Sequence, residues 1–125
     1  MDKQRFEDGL AVRRKVIGAE YIDETLASAD GLTQAFQELV TEYCWGAVWT
    51  REGLSHRDRS LLNLGMLTAL GRPVELKLHL RGALTNGVTR EEIREVFIQS
   101  AIYCGAPAAM EAFRCAREVF SEVDA

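Results

Sequence analysis

Residues 89–107, TREEIREVFIQSAIYCGAP, carry the signals of one complete helix. Apolar or small side chains recur at positions 93, 96, 97, 100, 101 and 104, which is the spacing of a single buried stripe on a helix. Thr89 and Glu92 have the spacing of a capping box at its start. Gly105 suits the left-handed position that ends a helix, and Pro107 suits the first turn of the next one. The stretch therefore predicts a helix over 90–104 and another directly after it.

Similar patterns extend over the whole chain of 125 residues and predict helices throughout. The helix at 56–70 is apolar on almost all sides, so we expect it to be central in the domain or covered by a partner chain. The short connection at 86–88 predicts that the helices on either side of it pack antiparallel. The predicted helices are 3–16, 19–29, 32–48, 56–70, 73–85, 90–104 and 107–122.

These helices predict an all-α fold, a compact helical domain of about six to seven helices over residues 1–125. So many apolar helix faces in a small domain predict that some are covered at subunit contacts, and we expect a homo-oligomer.

Composition excludes several functional classes. Hydrophobic residues make up 47% of the chain and charged residues 27%, with a net charge of −4. An acidic chain without a dense Lys/Arg stripe is a poor partner for nucleic acid or an anionic membrane. No apolar run approaches the roughly 18 residues of a membrane span, and the charged N-terminus lacks the apolar centre of a secretion signal. We therefore expect a cytoplasmic protein.

The cysteines and histidines do not predict a redox or metal centre. Cys44, Cys104 and Cys115 are odd in number and form no C-x-x-C pair, so neither a disulfide framework nor a zinc site is indicated. The two histidines have no carboxylate cluster around them. Since the chain also lacks the G-x-G-x-x-G, P-loop and nucleophile-elbow motifs, we expect no metal or cofactor.

His79 is the reactive group that the helix pattern singles out. On the predicted helix 73–85, Glu75 lies one turn before it and Arg72 a further turn back. His79 lies near the apolar stripe, beside a carboxylate that could orient and charge its ring. A histidine at the edge of the core, satisfied by Glu75, is the alternative from spacing alone. His56 begins the charged stretch SHRDR and is expected at the surface.

A tryptophan pair followed by arginines is the second feature. Trp45 and Trp49 are one helical turn apart, and such a pair either belongs to the core or forms the wall of an apolar pocket. Arg51, Arg57 and Arg59 follow closely. A guanidinium binds a carboxylate through two hydrogen bonds, so arginines beside an aromatic wall suit a small anionic ligand. Solvated surface positions are the alternative for each arginine.

Four segments together resemble the carboxymuconolactone decarboxylase family: VWTREGLS, RSLLNL, ELKLHLRGALTNGVTREEIREV and YCGAPAA. The resemblance implies an all-helical fold shared with alkyl hydroperoxidase D-like proteins and a homo-oligomer, commonly a hexamer. It also implies cofactor-independent decarboxylation of γ-carboxymuconolactone, a small dicarboxylate lactone. The implied products are 3-oxoadipate enol-lactone and CO₂, in the protocatechuate branch of the β-ketoadipate pathway of aromatic catabolism.

The hydroperoxidase relatives carry C-x-x-C-x-x-x-H, and this chain has Arg72, Glu75 and His79 at those positions. Both thiols of that motif are absent, so His79 is the shared element. The resemblance favours His79 as a general acid oriented by Glu75. The side chains then expected to bind substrate are Arg51, Arg59, Arg72, Trp45 and Trp49. A thiol-dependent peroxidase with cysteines paired only in three dimensions, and a non-catalytic helical binding module, stay open as alternatives.

Overall fold

The computed structural model describes residues 1–125, and its regular structure is entirely helical. A π-helical segment, Val40–Val48, continues directly from α3 and is called the π segment below. The seven α-helices are α1 Lys3–Ile17, α2 Ala19–Ala27, α3 Gln34–Leu39, α4 His56–Leu70, α5 Pro73–Thr85, α6 Arg90–Cys104 and α7 Ala106–Asp124. The all-α prediction is confirmed, and the predicted helix bounds lie close to the observed ones. None of the helices combines the length and the apolar character needed to cross a bilayer.

The chain divides into two compact units, Met1–Ser55 and His56–Ala125, which are described separately. In the first unit, α1 packs mainly against the π segment and also against α2. Helix α1 and the π segment cross at short distance because each has a glycine at the crossing point, Gly9 on α1 and Gly46 on the π segment. A Cβ atom on Gly9 would lie 2.5 Å from the amide nitrogen of Gly46, and one on Gly46 would lie 2.8 Å from Cγ of Arg5.

A buried arginine ties α1 to the end of α3 and the start of the π segment. The guanidinium of Arg13 donates to Oγ1 of Thr41 and to Oε1 of Gln37, both at 2.9 Å. Burial lowers the pKa of Arg13 from its ordinary value. The two neutral acceptors therefore satisfy a guanidinium that burial has separated from water, and they fix the position of α1.

In the second unit, the core lies among α4, α5, α6 and α7. Both α4 and α7 pack against α5 and α6, and they also touch each other. The prediction that α5 and α6 pack against each other is wrong, because their main neighbours are α4 and α7. The connection explains this: Val88 is buried in the core, and Nδ2 of Asn86 donates to Oγ of Ser60 on α4 at 3.0 Å. The connection is thereby anchored to α4 rather than closing a two-helix hairpin.

The local signals predicted at the two ends of α6 are present. The hydroxyl of Thr89 accepts from the amide of Glu92 at 3.1 Å, and the carboxylate of Glu92 accepts from the amide of Thr89 at 2.9 Å. Gly71 after α4 and Gly105 after α6 have φ of 67° and 98°, a region that disfavours residues with a Cβ. On the surface, ion pairs join Lys77 of α5 to Glu118 and Arg81 to Glu122, both on α7.

One face of α4 is exposed although it is apolar. Leu62, Met66 and Leu70 follow each other at intervals of one turn and are 52%, 45% and 64% exposed. An exposed apolar strip on a helix that is otherwise central in its unit is typical of a surface that a second subunit covers. The subunit contact expected at this helix stays a prediction.

We expect Gly46→Ala to destabilise the protein by about 3 kcal/mol, because the added methyl group meets backbone atoms of α1 that cannot move independently. Gly31→Ala is the matched control, since a Cβ there meets nothing within 4 Å and its φ is not positive. Denaturant unfolding of both variants measures the difference. Equal midpoints for the two variants would show that the close crossing is not needed.

Candidate active site

The π segment positions the tryptophan pair. Its wider turn is marked by the amide of Trp49, which donates to the carbonyl of Cys44, five residues earlier, at 3.1 Å. The rings of Trp45 and Trp49 are stacked, with centroids 4.7 Å apart and planes 25° from parallel. Both side chains are 4% exposed. The expected pair therefore forms one flat, buried aromatic unit, and π-helical turns occur frequently at functional sites.

Arg51 follows this aromatic pair in the same unit. It is exposed, and its amide donates to the carbonyl of Val48 at 3.1 Å, which closes the turn after the π segment. The structure thus places Arg51 two residues beyond Trp49 in a loop, as the sequence suggested.

In the second unit, His79 lies on α5 at the border of the buried face. Leu76, Leu80 and Ala83 on this helix are buried, whereas His79 is half-buried. Nδ1 of the ring lies 3.4 Å from Nδ2 of Asn63 on α4. The packing of α4 on α5 therefore gives the imidazole a polar neighbour that sequence spacing along α5 did not reveal.

Burial governs the protonation of this ring. It lowers the pKa of His79 from 6.5 to about 4, because the charged imidazolium loses its hydration in the packed region between the helices. Glu75, expected to orient and charge the ring, is exposed on α5, and the direction of the shift is opposite to the one a neighbouring carboxylate would cause. An imidazole whose pKa is lowered in this way is neutral at pH 7.

Two of the expected arginines lie in this unit. Arg59 precedes Asn63 by one turn of α4, so it lies on the face that meets α5, and it is half-buried. Arg72 is the exposed N-cap of α5, roughly 10 Å along the helix axis from His79. The guanidinium of Arg72 donates to the carbonyl of Leu70 at 3.3 Å. The structure thus brings Asn63 and His79 together at the contact of α4 with α5, and Arg59 lies one turn before Asn63 on α4.

Asn63 is the residue that the sequence analysis missed. A signal was present, because Asn63 is the single hydrogen-bonding side chain in the run LLNLGML over residues 61–67. A lone amide in an apolar helix needs a partner when it is buried. The sequence did not say which helix supplies that partner.

The structure gives no support to thiol chemistry. All three cysteines are free, and burial raises the pKa of Cys115, so its thiol is a poorer nucleophile at neutral pH. Side chains that bind metals do not gather in groups of three or more.

The structure is all-helical, with a half-buried histidine beside an asparagine of the facing helix and an arginine one turn before that asparagine. These features define the class as a helical protein whose polar groups suit an anionic ligand. The model of the Carboxymuconolactone decarboxylase family matches residues 34–118. The chain belongs to this family, which confirms the resemblance seen in its segments.

Relatives extend the match to nearly the full chain. The chain is 42% identical over 123 residues to the nitrosuccinic acid decarboxylase npaB of Metarhizium robertsii, which covers 98% of this chain and 86% of the relative. It is 39% identical over 122 residues to the 4-carboxymuconolactone decarboxylase of Acinetobacter baylyi, which covers 98% of this chain and 91% of the relative. Both relatives are named as decarboxylases, and their similarity supports a carboxy-lyase.

We expect the stability of the protein to fall as the pH drops below about 6.5. The pKa of His79 is lower in the folded state than in the unfolded state, so the unfolded chain takes up the proton first. The free energy of unfolding should decrease by about 1–2 kcal/mol between pH 7 and pH 5 through this group. Denaturant titrations of the wild type and of His79→Gln at both pH values measure it.

The matched control for this titration is His56→Gln, which removes the other histidine and leaves His79 in place. An equal loss of stability in the wild type and in His79→Gln would show that the ring of His79 is not held neutral by burial.

Proposed function

We propose that this protein catalyses the cofactor-independent decarboxylation of 4-carboxymuconolactone to 3-oxoadipate enol-lactone and CO₂. The observation that carries the proposal is the 39% identity, over 98% of the chain, to a protein named for that reaction. The half-buried histidine with an arginine on the adjoining helix supports it, because the substrate is a small dianion. We place the reaction in aromatic catabolism through the β-ketoadipate pathway, as the sequence resemblance implied.

The chemistry of this substrate explains why side chains suffice. The leaving carboxylate is attached to an unsaturated lactone ring. When the C–C bond to the carboxylate breaks, its electron pair passes through the ring C=C to the lactone carbonyl oxygen. The substrate therefore carries its own electron acceptor, and the protein has to bind the second carboxylate, stabilise the developing oxygen anion and keep water away.

The proposed roles follow from the type and position of each side chain. Arg59 binds the retained carboxylate, because a guanidinium can offer two parallel hydrogen bonds. His79 supplies a donor at the reacting atoms, either as the general acid that protonates the ring carbon or as a hydrogen-bond donor to the enolate oxygen. Glu75 is exposed on α5, so the proposed roles at the reacting atoms rest on His79 and not on the orienting carboxylate that the resemblance implies. Further proposed substrate-binding residues are Arg51, Arg72, Trp45 and Trp49.

Nitrosuccinic acid is a second candidate substrate, favoured by the 42% identity to a protein named for its decarboxylation. It is also a dicarboxylic acid with an electron-accepting group. Loss of CO₂ from the carbon that bears the nitro group places the electron pair on the nitro oxygens. In both candidate substrates, one carboxylate leaves and the other is retained. The protein therefore needs a group that binds the retained carboxylate and a donor to the oxygen that becomes negative.

The test is a direct measurement of CO₂ release from 4-carboxymuconolactone and from nitrosuccinic acid. We expect the lactone to be turned over with the higher kcat/KM, and His79→Gln to lower kcat by about 100-fold or more, since a well-placed donor contributes roughly 10²–10⁴-fold. His56→Gln is the matched control and should retain activity. Absence of CO₂ release from both compounds would refute the proposed function. A loss below about tenfold would remove His79 from the reaction.

We expect Arg59→Lys to raise KM by about tenfold with a smaller change in kcat. Lysine keeps the positive charge but cannot form the two-point contact with a carboxylate. Arg57→Lys is a control two residues earlier on α4, where the arginine pairs with Glu92 instead. Steady-state kinetics measure KM and kcat of both variants. An unchanged KM for Arg59→Lys would show that Arg59 does not bind the carboxylate, and Arg51→Lys would then be the next variant to measure.

A further inference from the structure

We propose that Asn63 is a positioning residue that holds His79 with Nδ1 as a hydrogen-bond acceptor and its single proton on Nε2. The juxtaposition that carries the proposal is the 3.4 Å approach of Asn63 Nδ2 to His79 Nδ1 across the contact of α4 with α5. This proposal rests on the proposed function, because it specifies how His79 acts on the substrate. His79 then acts as a neutral Nε2–H hydrogen-bond donor and not as a proton-transferring acid.

The assignment follows from what an amide can do. The side-chain nitrogen of Asn63 carries two hydrogens and accepts nothing, so it forms a hydrogen bond with Nδ1 only when that ring nitrogen is bare. A neutral imidazole carries one proton, which is then on Nε2. An imidazolium would place an N–H group of the ring against an N–H group of the amide, and this contact disfavours it.

The surroundings of the ring agree with a neutral state. On α4, the charged side chain one turn before Asn63 is Arg59, and no acidic side chain occurs between Arg59 and Leu70. On α5, Glu75 is exposed and does not raise the pKa of His79, which burial lowers.

The third neighbour of this packing is α7. Its acidic groups that reach α5 are Glu118 and Glu122, and these pair with Lys77 and Arg81. Its thiol group, Cys115, faces the carbonyl of Pro73 at the start of α5. The carboxylates that contact α5 are thus engaged with cations and do not charge the imidazole.

The reaction step is balanced without a proton from the ring. The C–C bond to the departing carboxylate breaks, CO₂ leaves, and the electron pair moves to the lactone carbonyl oxygen. The Nε2–H group donates a hydrogen bond to that oxygen as it becomes negative, and it keeps its proton. After CO₂ has left, a water molecule reaches the ring, and the carbon next to the lactone carbonyl takes a proton from it. The hydroxide that remains passes to bulk solvent, and the enol-lactone is formed. A neutral imidazole that gave its proton away would become an imidazolate, so hydrogen-bond donation is the role that fits.

The first experiment observes the tautomer directly, without substrate. In protein labelled with ¹⁵N-histidine, NMR distinguishes a bare ring nitrogen from a protonated one, and His56→Gln assigns the signals of His79. We expect Nδ1 to be bare and Nε2 to be protonated at pH 7. In Asn63→Asp, a carboxylate replaces the donor, so we expect Nδ1 to become protonated and the pKa of His79 to rise.

Asn86→Asp is the matched control, because Asn86 is the other asparagine of the chain and binds Ser60 rather than His79. It should reduce stability and leave the tautomer of His79 unchanged. A wild-type ring protonated on Nδ1, or on both nitrogens at pH 7, overturns the proposal even if the variants fail to fold.

The second experiment uses the pH dependence of turnover of 4-carboxymuconolactone. A neutral donor predicts that kcat/KM is flat between about pH 6 and 8, whereas a required imidazolium predicts a fall of about tenfold per pH unit. We expect Asn63→Asp to lower kcat by about 100-fold with little change in KM, and Asn63→Leu to lower it less. A fall of kcat/KM with rising pH, or an unaffected kcat in Asn63→Asp, overturns the proposal.

The two experiments separate this proposal from the proposed function. If neither lactone nor nitrosuccinic acid is decarboxylated, the function fails while the tautomer measured by NMR still decides the role of Asn63. A purely structural role for Asn63 would change stability in its variants and would move neither the tautomer nor the pH profile.

Discussion

The packing of α4 against α5 is the contact on which the chemistry of the second unit depends. It removes the ring of His79 from water far enough to lower its pKa to about 4, so the imidazole is neutral in the range where enzymes usually work. The same contact brings the amide of Asn63 to one ring nitrogen. Because α4 also carries Arg59 one turn before Asn63, this helix pair holds the histidine, its amide neighbour and an arginine.

Local signals made the helices and their ends predictable. A capping box depends only on residues three apart, and the Thr89–Glu92 box forms as its spacing indicates. Gly71 and Gly105 end helices through a backbone conformation that depends on the residue itself. The buried stripe on α6 follows from helical periodicity, and Ile93 and Phe97 lie in the core as expected. Each of these features is decided within a few residues along the chain.

Features that depend on contacts between distant residues were not predictable in the same way. The π segment was predicted as ordinary helix, because its wider turn leaves no mark in apolar periodicity. The close crossing at Gly9 and Gly46 joins residues 37 positions apart, and neither glycine indicates its partner. For His79, spacing along α5 suggested Glu75, yet the side chain beside Nδ1 comes from α4. Periodicity gives the direction of a face along one helix and does not identify what packs on it.

The two named relatives sharpen the question of what such a site selects. A lactone and a nitro acid differ in shape, but in each the electron pair released with CO₂ ends on oxygen. A fixed, neutral N–H donor suits both oxygens, because it stabilises developing charge and needs no match between its own pKa and that of the product. A general acid, in contrast, works best when its pKa is tuned to one proton transfer. In the proposed reaction, the donor at His79 therefore determines which type of decarboxylation is possible. The side chains that bind the retained carboxylate and the ring determine which substrate is selected.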